Sequence, residues 1–121
     1  MEVTGFVVNV TSENPERLKE FYRDIVGLQP NPDAGEAAFN VNGSMFIIDG
    51  HSETKGPAKE PQRVLIDFFV DDLAKEQKRL EEKGVKFFRT AGKEFWGGVI
   101  SSFTDPDGNY VQLIEFKPPE A

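Results

Sequence analysis

Three polar residues, Asn9, Asp67 and Gln112, each stand inside a run of apolar and β-branched neighbours, the pattern of a side chain kept for chemistry on an otherwise hydrophobic strand. Strand alternation sorts each run into two faces. Val64, Ile66, Phe68 and Val70 form one apolar face, with Leu65, Asp67 and Phe69 opposite. Phe6, Val8 and Val10 oppose Gly5, Val7 and Asn9, and Val111 and Leu113 oppose Tyr110, Gln112 and Ile114. If helices cover the fully apolar faces, Asn9, Asp67 and Gln112 fall on the other side, where they would orient a ligand in an apolar concavity. The competing reading pairs Asp67 with a nearby Arg or amide and leaves the other two in local hydrogen bonds. A buried carboxylate without a partner is costly, so either solvent, a protein partner or a cationic ligand is expected beside Asp67. Phe95-Trp96, followed by Gly97-Gly98, reads as an aromatic wall on a loop, able to stack on a planar or cationic group, with core or interface packing as the alternative. Phe39, Phe69 and Tyr110 complete the expected ligand-lining set.

Other candidates for chemistry are sparse. The chain has one histidine, His51, which reads as an exposed linker residue, with a general base as the alternative. Asp105 and Asp107 resemble an acid and base pair, but Asp105-Pro106-Asp107-Gly108-Asn109 is a turn sequence in which Asp caps the backbone. The absence of cysteine excludes disulfides, thiol nucleophiles and Cys-ligated zinc. No phosphate-binding loop, dinucleotide fingerprint or Ser-His-Asp set is present. A net charge of −7 and a pI near 4.7 disfavour nucleic acid and anionic membranes as partners, leaving neutral or cationic small molecules. Without a basic leader or a long apolar run, a cytoplasmic location is expected.

The elements that must position these residues occur twice. Phe6 to Val10 predicts a strand. Asn14-Pro15-Glu16 then opens a helix carrying Leu18, Phe21, Tyr22 and Ile25 on one stripe, and Gly27 closes it. Gln29 to Gly35 reads as a loop, and Ala37 to Val41 with Ser44 to Asp49 as a hairpin about Asn42-Gly43. After a polar linker, at about residues 51–62, the order returns: a strand over Arg63 to Val70, a helix capped within Asp71-Asp72 and closed at Gly84, and strands over Val85 to Arg89, Val99 to Thr104 and Tyr110 to Phe116. One domain is expected over 1–121, built of module one, about 1–50, and module two, about 63–121.

The run Glu16-Arg17-Leu18-Lys19-Glu20-Phe21-Tyr22-Arg23-Asp24-Ile25-Val26-Gly27-Leu28 is one part of a wider likeness. With Phe69-Val70-Asp71-Asp72, Lys83-Gly84-Val85, Trp96-Gly97-Gly98 and Asp105-Pro106-Asp107-Gly108-Asn109, it resembles the vicinal-oxygen-chelate superfamily of glyoxalase I, bleomycin-resistance proteins, fosfomycin-resistance enzymes and extradiol dioxygenases. The resemblance implies an α+β fold of two βαβββ modules forming a curved, cup-like mixed sheet with helices outside, commonly as a homodimer. Its enzymes hold a divalent metal with His or Glu on the first, fourth, fifth and eighth strands. Carried to this sequence, those positions fall at Val7 or Gly5, somewhere in Met45 to Asp49, at Leu65 and at Gln112. No imidazole stands at any of them, so no metal and no cofactor are expected. Glu115 lies near the last position but on the opposite strand face.

These readings converge on a metal-independent protein, resembling the bleomycin-resistance branch, that sequesters a cationic or aromatic small molecule in an aromatic cup at a dimer interface. Asn9, Phe39, Asp67, Phe69, Phe95, Trp96, Tyr110 and Gln112 are its expected ligand-binding residues, and catalysis is not expected. The rival is a metal-dependent lyase, isomerase or dioxygenase using displaced ligands such as Asp49, Asp67 or Glu115. A third reading is an interaction module whose cup is filled by its own Phe side chains.

Overall fold

A computed structural model describes residues 1–116, which divide into two compact units, Met1–Gly56 and a second beginning at Pro57. In the first, β1 (Val7–Ser12) leads to α1 (Pro15–Glu20), then to β2 (Gln29–Pro30), β3 (Ala38–Val41) and β4 (Ser44–Gly50). In the second, β5 (Ile66–Phe69) leads to α2 (Leu73–Glu82), then to β6 (Phe87–Lys93), β7 (Val99–Thr104) and β8 (Tyr110–Glu115). The sheet orders are β1-β4-β3-β2 and β5-β8-β7-β6. In each, the opening strand runs parallel to the last strand of its unit, and the remaining pairings are antiparallel. A parallel pair needs a long crossover, and the helix supplies it in both units. The fold is therefore α+β, with βαβββ connectivity twice.

The helix starts follow from local chemistry. Asn14 caps α1 by accepting from the Arg17 N–H at 3.2 Å, with Pro15 at the first position where a missing N–H costs nothing. Asp72 caps α2 in the same way, accepting from the Lys75 N–H at 3.2 Å. Continuous α-helix was expected from Pro15 to Gly27, but Phe21–Val26 is π-helical and closes on Gly27 in the left-handed conformation, φ 93°. Gly27 N–H donates to the Tyr22 carbonyl at 3.0 Å, and Leu28 N–H to the same oxygen at 2.9 Å. The wider turn still buries Leu18 and Tyr22 completely, while Phe21 and Ile25 are only half-buried.

Other boundaries differ from the sequence reading. Gln29–Pro30, read as loop, pairs with Asn40 and Phe39 as an edge strand, a place where proline's missing donor is tolerated. β1 extends to Ser12 and leaves Phe6 exposed ahead of it, and β5 begins only at Ile66. β6 starts later than expected and runs on to Lys93 through two register irregularities. The hairpin at Asn42-Gly43 has the expected form, both residues having positive φ, 43° and 85°.

Each sheet buries one face under its own helix. In the first unit Leu18 and Tyr22 share the buried set with Phe39, Phe46 and Ile48, and the Tyr22 and Phe46 rings lie 5.0 Å apart. In the second, Leu73 and Leu80 share it with Phe103, Val111 and Leu113, and the rings of Phe87 and Phe103 are 5.1 Å apart.

Candidate functional site

The face of each sheet turned away from its helix is the more open one, although Ala38 on the first sheet and Ile100, Ser102 and Ile114 on the second are buried there. On the first sheet the register aligns Val7 with Met45 and Asn40, Asn9 with Ile47 and Ala38, and Thr11 with Asp49. Asn9 is thus an exposed amide beside aliphatic side chains, and no ring of β1, β3 or β4 shares its face. Phe39 does not belong there. It pairs with Phe46, is 2% exposed and packs on the helix side, so its place among the ligand-lining residues is corrected to the core. Residues directly opposite in a sheet point the same way, and Phe46 faces Tyr22.

The second sheet gathers the other candidates. Asp67 is the register partner of Gln112, Gln112 of Ser102, and Ser102 of Arg89, giving one polar row across all four strands. Gln112 Nε2 donates to Ser102 Oγ at 3.4 Å, and Arg89 pairs with Glu94. Asp67 is exposed and has no hydrogen-bond or ion-pair partner among the described residues, and partial desolvation pushes its carboxyl above the ordinary carboxylate value. The row is flanked by apolar ones. Phe69, Ile114 and Ile100 align on one side. On the other, the rings of Tyr110 and Phe88 meet at 4.7 Å. Phe69, at the end of the edge strand β5, is 72% exposed, whereas Ile114 and Ile100 in its row are buried.

Trp96 and Phe95 occupy the turn between β6 and β7. Glu94 N–H donates to the Gly98 carbonyl at 2.7 Å and Gly97 N–H to the Glu94 carbonyl at 3.0 Å, which closes the turn tightly. Gly97 takes φ 94°, a conformation that favours glycine. The Trp96 indole folds over Gly98 so closely that a Cβ there would lie 1.8 Å from the ring. It also meets the Phe116 ring at 5.5 Å. Trp96 is consequently a semi-anchored wall, 41% exposed, whereas Phe95 is 99% exposed and touches little. Arg89, Ser102, Phe88 and Phe116 were missed in the sequence. The parity of Phe116 with Tyr110, Gln112 and Ile114 carried a signal for it, but Phe88 and Arg89 share a face only because a bulge interrupts β6.

The remaining polar candidates have structural work. Asp105 Oδ1 accepts from the Asp107 and Asn109 N–H groups at 2.9 and 3.0 Å, and Oδ2 from Asn109 Nδ2 at 2.9 Å, as its turn sequence anticipates. His51 is exposed, its Nδ1 accepting from the Glu53 N–H at 3.1 Å. Glu115 turns toward the helix side, where Oε1 accepts from the Leu73 N–H at 3.2 Å.

Residues 6–113 match the family model of the Glyoxalase/Bleomycin resistance protein/Dioxygenase superfamily. The chain belongs to this superfamily. A curated relative, "Uncharacterized protein YraH" of Bacillus subtilis (strain 168), is 28% identical over 109 residues, covering 79% of this chain and 85% of the relative. Among solved structures, an integron cassette protein from the mobile metagenome of Halifax Harbour sewage outfall is 24% identical, with a TM-score of 0.72 over 94% of this chain and all of its own. A glyoxalase/dioxygenase from Nostoc punctiforme is 18% identical, with a TM-score of 0.75 over 94% of this chain and 90% of its own. At these identities the structures share the fold.

The metal that enzymes of the glyoxalase superfamily carry finds poor donors in this chain. On β1 the position is Val7, with Gly5 ahead of the strand; on β4 the open-face residues are Met45, Ile47 and Asp49; Leu65 precedes β5; and β8 offers the neutral amide of Gln112. Asp67 and Glu115 face opposite sides of the second sheet, so they cannot share an ion. Among the described residues no group of three or more His, Cys, Asp or Glu is placed to hold a metal. This donor set does not fit a chelated divalent ion. Among the described residues, no helix is long and apolar enough to cross a membrane.

Proposed function

We propose that this member of the glyoxalase superfamily is a metal-independent binder of a cationic or aromatic small molecule, held on the open face of the second sheet. The observation that carries this reading is the unpartnered Asp67 carboxylate set among Phe69, Tyr110, Gln112 and Phe88. An apolar surface with a few convergent polar groups is the usual composition of a small-molecule site. Asp67 is exposed, so water solvates it in the free protein, and its unpaired negative charge attracts and orients a cationic ligand. Trp96 adds a wall whose face can stack on that ligand. Asn9, on the first sheet, is a subsidiary polar group in this proposal, and Phe95 an exposed contact. The binding form is proposed to be a homodimer, with catalysis absent.

The test is a compound panel of varied charge and ring content, read by melting temperature, since a ligand that binds only the folded state raises it. Trp96→Ala is expected to abolish the ligand shift while lowering the apo melting temperature by only a few degrees. Unchanged binding by that variant removes Trp96 from the site. Metal analysis of the untreated protein decides the rival. One tightly bound divalent ion per chain would overturn metal independence and favour the lyase, isomerase or dioxygenase reading.

A further inference from the structure

We propose that the Asp67–Gln112 pair is a recognition edge for a planar guanidinium or amidinium group, carried on a flat apolar body that lies against the exposed Phe69 ring. This rests on the preceding reading of the second sheet as a ligand-binding face and names the chemical class that face selects. Asp67 and Gln112 are register partners on adjacent parallel strands, so their side chains leave the sheet on one side, with the strands about 4.8 Å apart. Gln112 Nε2 donates one N–H to Ser102 Oγ at 3.4 Å, and its carbonyl oxygen has no hydrogen-bond partner among the described residues. The amide nitrogen has a second N–H, so the edge presents two carboxylate oxygens and one amide oxygen against one remaining donor.

This acceptor-rich, negatively charged edge selects against carboxylates and phosphates, whose charge Asp67 repels. It selects for a group offering several N–H donors in one plane. A guanidinium or amidinium places two parallel N–H bonds on a carboxylate and keeps a further N–H for an oxygen one strand away. A single ammonium has its donors splayed and satisfies the same edge less well. The far end of the polar row supplies direction. Arg89, at the far end, is already paired with Glu94, which leaves Asp67 as the row's charged group with no ion-pair partner among the described residues. Beside the edge, the exposed Phe69 ring, backed in its row by the buried Ile114 and Ile100, offers the flat apolar support that a ring attached to such a cation would cover.

Benzamidine and benzamide separate the proposal from its alternatives, being alike in shape and differing in charge and in donors. Binding is measured by calorimetry on the full-length wild-type protein and on Asp67→Asn and Gln112→Leu, with circular dichroism to verify folding. Wild type is expected to bind benzamidine at least tenfold more tightly than benzamide. Asp67→Asn is expected to erase that preference, and Gln112→Leu to reduce it severalfold. If the preference survives in Asp67→Asn, the edge is not the recognition element. If wild type binds both compounds equally, or binds only neutral or anionic members of a wider aromatic panel, the guanidinium class is overturned while small-molecule binding stands. If no member of that panel binds, both readings fall together.

Discussion

The two units have the same connectivity and the same strand order, yet their open faces differ in chemistry. On the first sheet that face carries Val7, Asn9 and Thr11 beside Met45, Ile47 and Asp49, and the hairpin between β3 and β4 is a two-residue Asn42-Gly43 turn with nothing to add. On the second, Asp67, Gln112, Ser102 and Arg89 run between aromatic and aliphatic rows, and the corresponding β6 to β7 turn is long enough to present Phe95 and Trp96. The helix-covered faces, by contrast, are alike: two fully buried helix residues packed with large apolar strand residues in each unit. Scaffold and candidate site are thus separable within one repeat. Packing constrains the covered face to be apolar in both copies, while the open face is free to diverge.

That separation is broken most strongly by core truncation. Phe39→Ala and Phe103→Ala are each expected to cost about 3–5 kcal/mol, measured by urea unfolding, because both rings are fully or nearly fully buried. Comparable losses would support equivalent covered faces; a loss under about 1 kcal/mol at either position would show that one face is not a packed core.

A smaller effect is expected at the second hairpin. Gly98 has no positive φ, so the backbone accepts alanine, but the new Cβ must displace the Trp96 indole. Gly98→Ala should forfeit the Trp96–Phe116 ring contact, about 0.5–1.5 kcal/mol, and shift emission to the red, the chain having one tryptophan. Unshifted fluorescence would mean the indole does not rest on Gly98 in solution.

The smallest effect concerns Asp67. Its folded-state carboxyl is raised by partial burial, so the folded protein binds that proton more readily than the unfolded chain. Asp67 therefore opposes folding at neutral pH, and the opposition fades as pH falls through the raised value toward the unfolded one. Asp67→Asn should raise the neutral-pH melting temperature by on the order of 1 °C, with the gain over wild type shrinking at lower pH. A melting temperature lowered at neutral pH would imply that Asp67 has a stabilising partner.

Much of the scaffold was legible because its signals are local. The Asn14 and Asp72 caps, the closing Gly27, the Asn42-Gly43 turn and the Asp105 turn depend on neighbours within a few residues, and each occurs as its sequence implies. Strand parity likewise put Asp67, Phe69 and Gln112 on the open face, since alternation is a property of one strand alone. What failed was whatever depended on pairing. Phe39 carried no sign of the face it takes until its partner Phe46 was known, and Gln29–Pro30 becomes a strand only because β3 lies beside it.

The amino-acid sequence by itself determined a cysteine-free, acidic chain of two similar halves, a family, and a lack of imidazole at the family's metal positions. Only the tertiary structure decided that Asp67, Gln112, Ser102 and Arg89 form one row, that Glu115 is spent on the start of α2, and that Trp96 rests on Gly98. The physical reason is that cross-strand register and β-bulges fix which distant residues are neighbours, and neither is written in any single strand.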